Sequence, residues 1–307
     1  MDIFGMALTV AGLCAFESII SIDNAVINAE VLGTMGARAR RWFLTWGLFF
    51  AVFLVRGLLP WLIVWLATPG LGPVQALTAT FSSDPSVMTA VESAAPILLA
   101  GGGTFLIFLF FHWLFLEDKN IGLPGERFFM DQGVWFYAVV SVLLVIIVWM
   151  CVKVNPYMAL GTVIGSSAFF ITHGFKEHAE ESEKKLMKGN MSDISKVLYL
   201  EVIDATFSID GVLGAFAFTL SVPLIILGTG LGAFVVREMT MRNVEAIKSY
   251  AYLKNGAMYS ILVLGIIMLA DAFGHHIPHW VSPVCTFGII GFFFWKSVLH
   301  TRASLPQ

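Results

Sequence analysis

Two short acidic motifs lie in strongly apolar surroundings, one in each half of the chain. The first reads ESIISIDN over residues 17–24, and the second reads DATFSIDG over residues 204–211. Each begins with an acid and continues, after three residues, with Ser-Ile-Asp. An ionisable side chain at membrane depth costs at least a few kcal/mol, so residues of this kind mark functional sites. The two motifs are therefore the first candidates for chemistry.

The motifs supply the oxygen ligands that hard divalent cations prefer. Carboxylate, amide and hydroxyl oxygens suit Mg²⁺, Ca²⁺ or Mn²⁺ far better than copper or zinc. We expect the motif acids and one amide to bind the cation, namely Glu17, Asp23, Asn24, Asp204 and Asp210. Three neighbouring side chains could join the site, namely Ser21, Ser208 and Glu201.

An arginine follows each motif at matching spacing. Gly47 and Arg56 stand nine residues apart, and so do Gly228 and Arg237, in the similar contexts AVFLVRG and GAFVVRE. We expect Arg56 and Arg237 to be counter-charges of the motif acids. They could act as a gate that neutralises the acids when no cation is bound, or form a static salt bridge between the repeats. The sequence favours neither alternative.

Composition sets the class of protein. Hydrophobic residues make up 58% of the chain, charged residues 13%, and the mean hydropathy is +0.83. A soluble domain carries roughly 25% charged residues, so we expect an all-α, polytopic membrane helix bundle. The first Lys or Arg is Arg38, so the first apolar stretch should be a membrane helix rather than a cleaved signal peptide. The three cysteines have no metal-ligand spacing and are expected to be packing residues.

Apolar runs predict about nine spans, since a membrane helix needs ~20 apolar residues. They cover residues 3–31, 42–66, 95–116, 134–152, 156–174, 196–219, 222–241, 255–273 and 280–299. Lys and Arg concentrate in the connections after odd-numbered spans, whereas residues 67–94, which could form a re-entrant loop, carry none. The positive-inside rule then places the N-terminus outside and the C-terminus inside the bacterial cytoplasmic (inner) membrane.

The motifs predict an inverted internal repeat. They are offset by 187 residues and the Gly-Arg pairs by 181, so spans 1–2 correspond to spans 6–7. Corresponding spans are five positions apart, which is an odd number, so the two copies should cross the membrane in opposite directions. Transporters whose substrate site lies at the midplane have this arrangement. The expected units are an N-terminal half (1–174, first repeat 1–66), a cytoplasmic linker (175–195) and a C-terminal half (196–307, second repeat 196–241).

A regular helix cannot direct both acids of one motif at a single point. At ~100° per residue Asn24 lies near Glu17, whereas Asp23 lies about 240° away. Asp204 and Asp210 repeat this arrangement in the second copy. Either each helix is unwound near Ser-Ile-Asp, or the two acids of each motif serve different neighbours.

The histidines are scattered along the sequence. His173 and His178 flank Glu177 around the start of the predicted linker, His112 lies in FFHWLF near a span end, and three more lie in an outer loop at 275–279. The group around Glu177 could form a metal-sensing loop. The mixed charge of the segment favours a flexible, solvated connection instead.

Several segments resemble the TerC family of integral membrane proteins, in particular its branch long known only as a domain of unknown function. They are FESIISIDNAVINAEVLGTM, LYLEVIDATFSIDGVLGAFAFT, FLTWG at 43–47, FLEDK at 115–119 and the doubled Gly-Arg spacing. The resemblance runs from about residue 10 to residue 295. It implies a plan similar to LysE-type exporters and transport of a divalent metal, chiefly manganese export, through the motif acids and Asn24. Lys254 and Met258 depart from the acid and histidine expected near there, which weakens the case for span 8 in the ion path.

These observations lead to two hypotheses of different classes. The first is a secondary transporter that exports a divalent cation, with Mn²⁺ first and Ca²⁺ or Mg²⁺ as alternatives, in exchange for protons. The second is a membrane scaffold or metal-handover partner of secretion machinery with a structural ion. No nucleophile motif, HExxH site or P-loop occurs, so an enzyme is not expected. The expected partners are the ion, protons and lipids, with no nucleic acid; the chain could form a homo-oligomer.

Overall fold

The computed structural model describes residues 2–47, 49–68, 70–79, 84–118, 122–186, 192–248 and 250–304. Within these ranges the side chains of residues 23, 27, 30, 51–53, 88, 179–186, 239–248 and 303–304 lie outside the description. The described residues form α-helices and no strand; the helices are α1 Ile3–Ile20, α2 Ile22–Gly33, α3 Ala37–Trp42, α4 Arg56–Ala67, α5 Pro73–Thr78, α6 Pro85–Leu116, α7 Glu126–Asp131, α8 Phe136–Val154, α9 Pro156–Leu186, α10 Asp193–Ala215, α11 Val222–Lys248, α12 Leu253–Ala272 and α13 Val281–Ser304. Two π-helical stretches, Phe43–Gly47 and Phe50–Val55, connect α3 to α4.

The prediction of an all-α membrane bundle is confirmed. In the described part of the chain, six helical segments are long and apolar enough to cross a membrane; they begin at Ile3, Pro85, Gly133, Pro156, Leu253 and Val281. The predicted second, sixth and seventh spans are also helical, but are not among these six. The second is assembled from π-helical turns and α4, and α10 carries the acids of the second motif.

Local sequence signals define where the long helices begin. Pro85 is the first residue of α6, and the preceding Asp84 caps the helix by accepting a hydrogen bond from Ser86 N at 2.9 Å. Pro156 begins α9 in the same way after Asn155, whose Oδ1 accepts from Tyr157 N at 2.9 Å. Proline suits the first helical position because its missing N–H would have no intrahelical partner there.

Helix α6 is the centre of the bundle and packs closely against α9 and α12. A Cβ atom on Gly101 would lie 2.7 Å from the carbonyl oxygen of Gly161 in α9, and one on Gly103 would lie 2.9 Å from that of Gly265 in α12. Small residues at such crossings let membrane helices approach at backbone distance. These contacts form the frame against which the motif helices pack.

The two motif copies lie on helices that pack against each other. Helix α1 runs along α11, while α2 and α4 contact both α10 and α11. In the first copy the helix is interrupted at Ser21 (φ −86°, ψ 1°), between α1 and α2, whereas α10 runs unbroken through the second copy. Of the two alternatives left open above, a break near Ser-Ile-Asp therefore holds for one copy only.

The segment after the fifth span differs from the expected linker. Helix α9 continues to Leu186, so the predicted linker at 175–195 begins inside a helix. Its residue Lys176 is buried, at 8% exposure, because this turn of α9 still packs against α10.

Candidate cation site

Glu17 is a buried carboxylate held by an arginine and a serine. The residue lies on α1 with 0% exposure. Its Oε1 accepts hydrogen bonds from Arg56 Nη2 at 2.8 Å, from Arg56 Nε at 3.0 Å and from Ser21 Oγ at 2.6 Å. The second oxygen, Oε2, faces Gly211 of the other motif copy, where a Cβ atom would collide with it. Glu17 is therefore fixed on one side and approached by bare backbone on the other.

Asp204 joins the same cluster from the second motif copy. Its Oδ1 accepts a hydrogen bond from Asn24 Nδ2 at 2.5 Å, and its Oδ2 lies 3.7 Å from Arg56 Nη1. Arg56 begins α4 and is 2% exposed. One guanidinium thus bridges the first acid of both copies.

A cavity of about 440 Å³ borders this cluster. Its lining includes Asn24, Arg56 and Asp204 at the inner end, and it extends to the exposed Gly33 and Arg40. We call it the motif cavity. It connects the buried charges to the end of the protein at which α2 and α3 meet.

Oxygen atoms without partners lie in and next to the lining of the motif cavity. Among the described residues, four such buried side-chain oxygens have no hydrogen-bond partner: Asn24 Oδ1 and Asn28 Oδ1 in the lining, and Glu17 Oε2 and Glu201 Oε1 on residues that contact it. A buried polar atom left unsatisfied costs about 1–3 kcal/mol. All four are hard oxygen donors, which is the donor set that Mg²⁺, Ca²⁺ and Mn²⁺ select. The group can therefore accept a cation or protons.

Asp210 lies in a different place from Glu17 and Asp204. It is 5% exposed and forms a buried ion pair with Lys176 of α9. Both residues line a second cavity of about 640 Å³, together with His112 and His173. We call this the histidine cavity. The lining of this cavity also includes Lys254 and Glu117, which form an ion pair 2.5 Å apart. Lys254 stands where the resemblance implies an acid, and it lines this cavity as a base.

The other predicted site residues have varied positions. Asp23 lies in α2, but its side chain is outside the described residues. Ser208 Oγ donates to the backbone carbonyl of Asp204 at 2.6 Å, so it serves the helix rather than a carboxylate. Arg237 Nη2 donates to the carbonyl of Phe43 at 2.8 Å, with the guanidinium 5.2 Å from the centre of that residue's ring.

Sequence reasoning missed two groups. Asn28 is not among the residues predicted for the site, yet it lines the motif cavity and its Oδ1 is buried. Lys176 was assigned to the linker, although its spacing from His173 and Glu177 places all three on one helix face. The sequence does carry a signal for this longer helix. No proline or glycine that would end α9 occurs between Lys176 and Leu186.

Comparison with known proteins identifies the family. A family model described as "Protein of unknown function (DUF475)" matches residues 22–304, which is most of the chain. The chain belongs to the DUF475 family. The match includes Asn24 and Arg56 and the whole second motif.

One curated relative of this DUF475 protein is the uncharacterised membrane protein YceF of Bacillus subtilis (strain 168). The two are 31% identical over 104 residues, which cover 34% of this chain and 39% of YceF. The matched part thus spans well under half of the relative's length. No solved structure matches the chain. Together with its apolar helices, these findings make the chain an integral membrane protein.

Proposed function

We propose that the protein is a secondary transporter that exports a divalent cation, with manganese the first candidate, in exchange for protons. The observation that carries the proposal is a set of four buried oxygens that have no hydrogen-bond partner among the described residues. Asn24 Oδ1 and Asn28 Oδ1 belong to the lining of the motif cavity. Glu17 Oε2 and Glu201 Oε1 belong to carboxylates that contact the lining residues Arg56 and Gly47. Glu17 and Asp204, one from each motif copy, share the single guanidinium of Arg56. A static salt bridge accounts for the paired oxygens and leaves these four unexplained.

In this proposal Glu17, Asp204, Asn24 and Asn28 provide the ligands of the cargo ion. Carboxylate oxygens would provide charge, and amide oxygens would complete a shell of hard donors. Glu201 could add a third carboxylate. Its unpartnered Oε1 lies against Gly47 of the cavity lining, so close that a Cβ atom on Gly47 would collide with it. Asp23 stays a predicted ligand, and Asp210 would act in the histidine cavity.

Arg56 would be the counter-charge that exchanges with the cargo. Without a cation its guanidinium contacts both Glu17 and Asp204, at 2.8 Å and 3.7 Å, and offsets part of their negative charge. An arriving divalent cation would compete for the same oxygens and weaken the guanidinium contacts. Protons would restore neutrality once the ion has left, because burial favours the protonated form of a carboxylate. The cycle needs no nucleotide and no enzymatic step.

The basic connections indicate which side of the membrane the motif cavity would face. The motif cavity extends to Gly33 and Arg40, next to Arg38 and Arg41. By the positive-inside rule this end faces the cytoplasm, with the N-terminus outside and the C-terminus inside the bacterial inner membrane. The cavity would then be the cytoplasmic entrance of an exporter. The resemblance to the TerC family and to LysE-type exporters favours the same function and the same ion.

The test is Mn²⁺ transport in proteoliposomes that contain a Mn²⁺-sensitive dye and a pH-sensitive dye. Wild-type protein should move Mn²⁺ down its gradient with counter-movement of protons. Because the affinity of oxygen sites depends on carboxylate number, Glu17→Gln should lower transport at least about tenfold. Asp271→Asn is the matched control, since Asp271 ends α12 at a helix terminus, where its Oδ1 accepts from Ile277 N at 3.4 Å.

Two outcomes would contradict the transporter. Wild-type vesicles that move no more Mn²⁺ than empty ones would favour the scaffold or metal-handover alternative. Equal transport by wild type and Glu17→Gln would show that the motif cavity is not the route. Repeating the assay with Ca²⁺ and Mg²⁺ identifies the preferred ion.

A further inference from the structure

Three metal-ligating side chains meet in the histidine cavity, away from the motif cavity. His112 comes from α6, and His173 and Glu177 come from successive turns of α9. One ligand atom from each lies within 4.8 Å of the other two. The two imidazole rings are 3.6 Å apart between centroids, and His173 Nε2 is 3.6 Å from Glu177 Oε1. Two histidines 61 residues apart in sequence thus lie next to each other and to Glu177.

Aromatic neighbours hold both imidazoles in place. The ring of His173 stacks on Phe169 with an interplanar angle of 11° and a centroid distance of 5.6 Å. The ring of His112 meets Phe136 edge-on, at 87° and 5.4 Å. His112 is 6% exposed, whereas the Glu177 side chain is 72% exposed. The cluster therefore combines two imidazoles packed by aromatic rings with one exposed carboxylate.

The surrounding charges favour a cation. The described lining of the histidine cavity carries more acids than bases: Glu117, Asp118, Glu177 and Asp210 against Lys176 and Lys254. Both lysines are engaged in ion pairs, with Asp210 and Glu117 respectively. Asp210 Oδ1 has no hydrogen-bond partner among the described residues, although it is buried. The cavity therefore keeps negative charge beside the imidazoles after its lysines are neutralised.

We propose that His112, His173 and Glu177 form a second metal site, for a divalent cation of the zinc class. Two imidazoles and one carboxylate are a donor set that suits Zn²⁺ and Co²⁺, unlike the all-oxygen set of the motif cavity. Zn–N bonds of about 2.0–2.1 Å put the ligands of one site about 3.4 Å apart, a spacing that small side-chain rotations reach here. All three residues line the histidine cavity, so a fourth ligand could come from that space, as in zinc sites that exchange a ligand.

The test uses the full-length protein in lipid nanodiscs and Co²⁺, whose visible absorption reports tetrahedral nitrogen and oxygen coordination. The tetrahedral spectrum of the wild-type protein should saturate at one equivalent of Co²⁺, and Zn²⁺ should abolish it. Loss of even an outer-shell partner of a metal ligand typically costs about 10–100-fold in affinity, so His173→Gln should weaken binding at least about 100-fold. Glu177→Gln should weaken it less, because that carboxylate is exposed.

His178→Gln is the matched control, since His178 lies on the same helix but outside the cluster. It should give the tetrahedral Co²⁺ spectrum of the wild type with the same affinity, and so should Glu17→Gln, because the oxygen ligands of the motif cavity do not contribute to that spectrum. A His112→Gln variant is compared only if it elutes as a folded protein, because His112 is buried. The variants His173→Gln and Glu177→Gln decide the result in either case. Unchanged Co²⁺ affinity in His173→Gln, or no tetrahedral Co²⁺ spectrum in the wild type, would overturn the proposal.

Discussion

The two copies of the acidic motif place equivalent residues in different surroundings. Glu17 of the first copy is fully buried and bonded to Arg56 and Ser21, whereas Asp204 of the second is partly exposed and bonded to Asn24. The helix of the first copy is interrupted at Ser21, and that of the second is continuous. A repeated sequence therefore provides equivalent backbone positions, while the neighbours of each copy determine what its side chains do.

The last residue of each copy shows how the copies interlock. Asn24 reaches Asp204 across the interface, and Gly211, at the same position of the second copy, lies against Glu17. In both cases the eighth residue of one copy contacts the first acid of the other. The pairing has approximate twofold character, but only the asparagine donates a hydrogen bond. The absent side chain at Gly211 leaves Glu17 Oε2 open.

The two arginines give the sharpest test of this asymmetry. Arg56→Ala leaves the buried Glu17 and the partly exposed Asp204 without this counter-charge, and breaking a buried pair costs about 3–5 kcal/mol. Arg237→Ala removes a bond to a carbonyl and a ring contact, which together should cost about 1 kcal/mol. Thermal unfolding in detergent measures both. Equal destabilisation by the two variants would mean that the copies are energetically equivalent.

The second acid of the second copy depends on a lysine from outside the repeat. Lys176→Met should leave Asp210 buried and unpaired, at a cost of about 3 kcal/mol. Adding Asp210→Asn should recover most of this loss, because the uncompensated charge is then gone. Unfolding of the two single variants and the double variant gives the coupling energy. Strictly additive effects would show that the ion pair contributes nothing.

The serines of the two motifs should also differ. Ser21 donates to the Glu17 carboxylate, and hydrogen bonds to charged groups contribute about 1.5–3 kcal/mol; Ser21→Ala should cost this much. Ser208 donates to a carbonyl of its own helix, a bond that slightly destabilises helices, so Ser208→Ala should be close to neutral. Unfolding in a denaturing detergent compares the stabilities of the two variants. A larger loss in Ser208→Ala would contradict the assigned contacts.

The smallest expected effect distinguishes Asp204, which lines the motif cavity, from Asp210, which lines the histidine cavity. Asp204→Asn keeps the shape of the side chain and should weaken Mn²⁺ binding by about tenfold, or about 1.4 kcal/mol. Asp210→Asn should change Mn²⁺ binding less, because Asp210 lies in the histidine cavity. Isothermal titration with Mn²⁺ gives both affinities. The opposite order would place the cation next to Lys176 rather than Arg56.

Several features follow from the sequence because they depend on local properties. Apolar length and low charge predict the all-α membrane bundle, and proline marks the starts of α6 and α9. The motif acids and Arg56 are recognisable because charges are rare in apolar runs. The chain positions of these residues are therefore determined before any packing is known.

Other features depend on how helices distant in sequence pack. The rotation of α10 about its axis turns Asp204 toward Arg56 and Asp210 toward Lys176, and the sequence could state only that the two acids diverge. The meeting of His112 with His173 depends on the close glycine-mediated packing of α6 against α9. The sequence thus determined which residues carry charge and ligands, and the packing of the bundle decided which of them meet, because side-chain contacts between helices depend on the relative rotation and depth of each helix.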